Sequence, residues 1–167
     1  RYTGLWVNNN GNVTFASPTG EYTPFALEGP TNNPIIAAFF ADVDTRAIRL
    51  GDADFASGSR PAGVGFTSYG YYEAASPFGQ LFNPGGSKTG PGRNVFSVTW
   101  SDVGFFSHHT HRTNTFQLNL IDRDDTAPGF GNFDIEFNYE QIQWEAGTAS
   151  GGSSDGLGGT SAAVGFS

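Results

Sequence analysis

Apolar and polar residues fall into short extended segments separated by breaks rich in Gly, Asn and Pro. Residues 115–121 (Thr-Phe-Gln-Leu-Asn-Leu-Ile) alternate with period two, and so do residues 134–139 (Asp-Ile-Glu-Phe-Asn-Tyr). That period marks a strand with one buried and one wet face. The polar stretch between them predicts a hairpin, with Phe133, Ile135, Phe137 and Tyr139 on one face. Residues 94–100 (Asn-Val-Phe-Ser-Val-Thr-Trp) read as another strand. Leu5-Trp6-Val7-Asn8 and Asn12-Val13-Thr14-Phe15 flank Asn9-Asn10-Gly11, and Asn-Gly between two apolar segments is a strong hairpin signal. Segments 66–72 and 161–166 read as further strands, 47–50 as an edge strand, and 17–33, 80–93 and 147–159 as loops. No repeat of 20–50 residues and no amphipathic helical pattern is visible. The expected fold is all-β, an antiparallel β-sandwich with long Gly/Pro-rich loops, little helix, and one domain over 1–167.

One segment departs from alternation. Pro34-Ile35-Ile36-Ala37-Ala38-Phe39-Phe40-Ala41 is continuously apolar and then gives way to Asp42-Val43-Asp44-Thr45-Arg46. Such a run suits a strand buried on both faces, spanning 35–43. Regular strand geometry would put Asp42 and Asp44 on the same side. Two neighbouring carboxylates at the end of a core strand need a partner, and Arg46, backbone N–H groups or a cation would each serve. Calcium is the metal such oxygens suit, since it takes six to eight of them. Asp42 and Asp44 are therefore candidate calcium ligands, with Asp52 and Asp54 as a second Asp-x-Asp. The competing reading is structural, with Asp42 capping a turn and Asp44 paired to Arg46 or Arg49. No EF-hand spacing supports the metal.

Composition sharpens the class. The chain has 167 residues, 24 Gly, 9 Pro and 15% aromatic residues, which excludes a disordered chain and a helical bundle. The net charge of −8, with only 8 Lys and Arg, argues against nucleic acid and anionic membrane surfaces as partners. Cysteine is absent, so neither a disulfide framework nor thiolate chemistry is available. No apolar run approaches the roughly 20 residues of a membrane helix. With no Met at position 1 and no signal segment, Arg1 is expected to begin a processed or excised chain.

The remaining candidates are weaker. His108-His109-Thr110-His111 is a His-rich tract with no Cys to join it, and solvated hairpin residues are the expected reading. Asp124-Asp125 and Asp134 with Glu136 have the residue types of a glycosidase pair, but Asp134 and Glu136 fall on the polar face of a strand. The segment 150–155 holds Ser and Asp without a nucleophile elbow. Tyr69, Tyr71, Tyr72, Phe78 and Phe82 lie near Gly-rich loops, where aromatic faces serve sugar or protein contacts or cover the ends of a sandwich. Asn12-Val13-Thr14 fits an N-glycosylation pattern, although its hairpin position explains Asn12 equally well.

Seven ordered blocks carry a family resemblance: 5–15, Tyr22-Thr23-Pro24-Phe25, 35–46, 98–106, 114–118, 137–144 and Ala163-Val164-Gly165-Phe166. Together they resemble the nidogen-like domain (NIDO) over nearly the whole chain. Two departures stand out: only Arg1 to Gly4 precedes the hairpin where family members carry a Phe-rich strand, and 126–130 is longer than the usual turn. The resemblance implies a secreted, extracellular, mostly β module of adhesion, matrix or surface proteins, with no catalytic residues. A bacterial exported or surface protein is the expected source. The expected function is non-enzymatic recognition of a protein or glycan at the cell surface or in the matrix. Self-assembly into a filament, sheath or matrix is the alternative, and a carbohydrate-active enzyme the least favoured one. No nucleic acid, no membrane insertion and no cofactor beyond calcium is expected.

Overall fold

The computed structural model of the chain describes residues 2–46, 65–82, 92–124 and 131–167. The edge strand expected over 47–50, the Asp52 and Asp54 pair, Asp125 and most of the 80–93 loop lie outside the described residues. The described strands are β1 (Trp6–Asn8), β2 (Asn12–Thr14), β3 (Ile35–Phe40), β4 (Val43–Asp44), β5 (Phe66–Tyr72), β6 (Val95–Phe105), β7 (His109–Asp122), β8 (Phe133–Gln141) and β9 (Ala163–Phe166). Short 3-10 turns occupy Gly79–Phe82 and Thr148–Ser150. The fold is all-β, with two antiparallel sheets packed together. One sheet has the order β1-β2-β3-β9; the other runs β4-β6-β7-β8, with β5 also paired to β6. Apart from 47–50, each expected strand has a counterpart among the described residues; the one expected over 35–43 stops at Phe40, and β6 and β7 extend further than alternation alone suggested.

The chain forms two compact units. The first comprises 1–67, 100–116 and 139–167. Its first hairpin pairs Trp6 with Thr14, Val7 with Val13 and Asn8 with Asn12, leaving Asn9-Asn10-Gly11 as a three-residue loop. Gly11 takes the left-handed conformation (φ 76°) that such a loop requires. Its carbonyl accepts both the Ala38 and the Phe39 N–H, at 3.1 and 3.0 Å. Two successive donors on one acceptor make a β-bulge, and the β3–β9 register shifts over the same stretch.

All six residues of β3 are buried, with partners on both of its faces, and the bulge sets which of them Phe39 and Phe40 meet. Ile35, Ala37 and Phe40 pack together with Leu27 and Ala163, and Phe25 meets the Phe40 ring edge-on at 5.2 Å. Phe39 instead packs against Phe116 at 5.2 Å and Trp144 at 5.3 Å. Trp100 stacks on Phe116 and donates its indole N–H to the Asn8 and Asn9 carbonyls. Trp144 donates to the Val103 carbonyl at 3.0 Å, so both buried indoles are satisfied. The Tyr139 hydroxyl donates to the Ala38 carbonyl at 2.8 Å.

The second unit comprises 68–99 and 117–138. Val95, Val98, Leu118 and Ile121 are buried there. Buried Arg93 donates to the Asp122 carbonyl, and Asn94 joins the Ala74 N–H to the Asp122 carboxylate. A polar ladder crosses its strands. Gln117 donates to Thr99, and Asn119 donates to Gln117 and Glu136. Asn138 donates to the same two acceptors.

A Cβ at Gly11 would run into the Phe39 carbonyl oxygen, and its φ already penalises any L side chain. Gly11→Ala is expected to destabilise the fold by more than about 2 kcal/mol. At Gly4 nothing lies within 4 Å of the added carbon, and Gly4→Ala is expected to stay within about 0.5 kcal/mol of the parent. Urea denaturation midpoints of the two variants check both.

Candidate functional site

The Asp42 and Asp44 stretch sits at a corner. β3 ends at Phe40, the Val43 N–H donates to the Ala41 carbonyl at 2.9 Å, and β4 then pairs Val43 with Phe105 and Asp44 with Gly104. The chain leaves one sheet and joins the other between these points. The single strand expected over 35–43 is therefore broken, and strand alternation no longer governs where the two carboxylates point.

Asp44 is 4% exposed and surrounded by donors. Its Oδ1 accepts the Arg46 backbone N–H at 3.0 Å and the Arg46 Nε at 2.8 Å. Its Oδ2 accepts the Arg46 Nη2 at 2.5 Å and the His108 backbone N–H at 3.1 Å. This is a two-pronged guanidinium–carboxylate pair closed by a local turn. The Arg46 guanidinium also lies over the Phe106 ring, 5.4 Å from its centroid. Burial pushes the Asp44 carboxyl up, but the Arg46 side chain, the Arg46 and His108 N–H groups and the Arg46 charge together hold it below its ordinary value.

Asp42 is as deeply placed, at 5% exposure, and far less well partnered. It accepts the Ala149 N–H, while its Oδ2 has no hydrogen-bond partner. Gly147 presses against it closely enough that a Cβ there would come within 2.5 Å of the carboxylate. Burial raises the Asp42 pKa to about 6, the Asp44 charge adds to the rise, and the Ala149 N–H and Arg46 oppose it. The segment supplying Ala149 is fixed by Thr148, whose N–H and hydroxyl both donate to the Phe106 carbonyl.

The pair is thus held mainly by N–H donors. Asp44 has both oxygens engaged, and among the described residues no group of three or more His, Asp, Glu or Cys gathers to hold a metal ion. The partners of the two carboxylates include backbone N–H groups of His108 and Ala149, which no residue type in the sequence marks.

The other candidates have been drawn into the framework. His109 is buried and stacks on Phe105 at 4.7 Å, against the solvated position expected for the tract. His111 lies 3.6 Å from Asp155, beside Arg112 at 3.7 Å. Asp134 pairs with Arg123, and Glu136 accepts from Asn119 and Asn138. Asp124 accepts the Gly131 and Asn132 N–H groups. The Ser150 hydroxyl lies 3.0 Å from that of Thr23. Asn12 is fully buried, with Oδ1 accepting from Asn8 and Nδ2 donating to the Asn10 carbonyl, so the folded chain leaves no room for a glycan on it. Tyr69 and Tyr71 are 70% and 63% exposed, whereas Tyr72 packs on Phe78 at 4.5 Å. The Phe82 side chain lies outside the described residues.

A model of the nidogen-like domain matches residues 3–167. This chain belongs to the nidogen-like domain family. It is 34% identical to alpha-tectorin of Gallus gallus and 32% identical to alpha-tectorin of Homo sapiens, each over 99% of this chain and 7% of the relative. Nidogen of Drosophila melanogaster is 29% identical over 90% of this chain and 10% of that protein. The chain therefore spans a tenth or less of the length of these relatives. Alpha-tectorin and nidogen are secreted extracellular matrix proteins, in agreement with the extracellular location expected from the sequence. All three are animal proteins, and nothing in them supports the expected bacterial source. No solved structure matches the chain significantly.

The two carboxylates of the corner titrate in opposite senses. Asp42 is raised, so the stability it contributes is complete below its unfolded value near 3.8 and is lost as pH rises through about 6. Asp44 is lowered, so its contribution is present above 3.8 and is lost as pH falls through its depressed folded value. The melting temperature is expected to be highest near pH 4, where the two contributions overlap, and to decline as pH rises from there through about 6. Asp42→Asn is expected to flatten the decline on the neutral side and leave the acid limb in place. Melting curves across this range, at fixed ionic strength, check the assignment.

Proposed function

We propose that residues 1–167 act as one nidogen-like module without catalytic activity, which binds a protein or glycan partner in the extracellular matrix or at the cell surface. The family match over 3–167, to domains of matrix proteins, carries this reading. The fate of the polar residues supports it. Asp44, Asp124, Asp134 and Glu136 are tied to neighbouring donors, an arrangement that braces a scaffold and does not poise a general acid and base. Recognition by such a scaffold falls to exposed side chains with large contact area. Tyr69 and Tyr71 on β5 are the strongest candidates, because Tyr combines apolar area with a hydrogen-bonding tip at low entropic cost.

The test is binding of the 167-residue chain to arrays of matrix proteins and of glycans. Replacing Tyr69 and Tyr71 together by Ala is expected to weaken the retained interaction at least about tenfold, the scale of a modest hot spot. Undiminished binding by that variant would remove β5 from the recognition surface. Calcium is addressed separately. A cation at Asp42 and Asp44 would have to displace Arg46, so the melting temperature at neutral pH is expected to be the same in calcium and in EDTA. A rise with calcium concentration would restore the metal reading.

A further inference from the structure

Among the described residues, β9 presents an open, uncharged edge. β9 pairs with β3 and ends the order β1-β2-β3-β9. Ile35 and Ser167 exchange both backbone hydrogen bonds, at 3.2 and 3.0 Å. Phe166 stands opposite Ile36 and Gly165 opposite Ala37. Hydrogen-bonded and non-hydrogen-bonded pairs alternate along an antiparallel ladder. Ser167 and Gly165 therefore turn their backbone groups toward β3, while Phe166 and Val164 turn theirs outward. The same two residues are 64% and 50% exposed. Ala163 packs into the cluster around Ile35, and a Cβ on Gly165 would point at Leu27, so Val164 and Phe166 project together to the opposite side.

Proteins guard such edges with charge, Pro or a covering segment. β8, at the end of the other sheet, carries Asp134, Glu136 and Glu140. Residues 156–167 contain no charged side chain and no Pro. The unguarded stretch carries none of the charged side chains that sum to −8 over the chain, so two copies of it meet without direct like-charge contact.

We propose that the outer edge of β9 pairs with β9 of a second copy of this chain. Antiparallel pairing about a two-fold axis at Gly165 sets Val164 opposite Phe166 of the other copy, and Phe166 opposite Val164. Both positions have outward-facing N–H and C=O groups, so each pair closes two backbone hydrogen bonds and sets an apolar side chain against another. The two four-stranded sheets become one of eight strands. A four-residue strand buries less area than the roughly 1,200 Å² of a stable interface, so the contact is weak and gains strength only when many copies are held close together. It goes beyond the recognition role assigned to β5 and does not depend on it.

Sedimentation equilibrium of the 167-residue chain, with any tag at the N-terminus, tests the pairing. The weight-average mass is expected to rise from one chain toward two between about 10 µM and about 1 mM, the range of a small interface. Added salt is expected to strengthen it by screening the net charge. Hydrogen exchange is expected to show concentration-dependent protection of the Val164 and Phe166 amides, with those of Gly165 and Ser167 protected throughout. Val164→Lys and Phe166→Lys, both at exposed positions, are expected to weaken association at least tenfold. A monomer across the whole range overturns the proposal. So does a dimer whose Val164 and Phe166 amides exchange as fast as in the monomer, or one that both Lys variants form unchanged.

Discussion

Two successive amides, those of Ala38 and Phe39, converge on a single acceptor, the carbonyl of Gly11. Much of the first unit depends on that contact. Without the bulge, strict alternation would put Phe39 on the face of Ile35 and Ala37, and Phe40 on the opposite one. With it, Phe40 completes the cluster covered by Leu27 and Phe25, while Phe39 reaches Phe116 and Trp144. One extra residue thus lets one strand supply bulky aromatics to two packed layers. The geometry is available because residue 11 is Gly: its left-handed φ and its close approach to Phe39 both exclude a side chain.

The corner that follows shows how two identical side chains, two residues apart, acquire different chemistry. Asp44 is enclosed by Arg46 and the His108 amide and stays ionised at ordinary pH. Asp42, equally buried, has the Ala149 amide for one oxygen and the backbone of Gly147 against it. Burial disfavours its charge, and too few donors compensate. At this corner between sheets the surroundings push one carboxyl up and hold the other down. An exposed turn carrying the same Asp-x-Asp sequence would leave both groups solvated.

The wider surface divides along similar lines. Residue types that suggest catalysis, such as Asp134, Glu136, Ser150 and the His tract, take part in hydrogen bonds, ion pairs and ring contacts that hold the framework. The strongly exposed side chains include Tyr69, Tyr71, Val164 and Phe166, which are suited to contact with other molecules.

Much of the fold was legible in residue order. Period-two alternation marked β7 and β8, Asn9-Asn10-Gly11 marked the first hairpin, and the apolar run marked a strand buried on both faces, because these signals depend on local backbone geometry. The family was legible too, since its blocks recur in order along the chain. The break between β3 and β4, the burial of Asn12 and His109, and the opposite fates of Asp42 and Asp44 were decided only by the tertiary structure. Each depends on groups distant in sequence, often on backbone amides such as those of His108 and Ala149, whose hydrogen-bonding capacity does not vary with residue type. A sequence can say that two carboxylates stand near each other; which one holds its proton to the higher pH depends on the donors that folding brings to them.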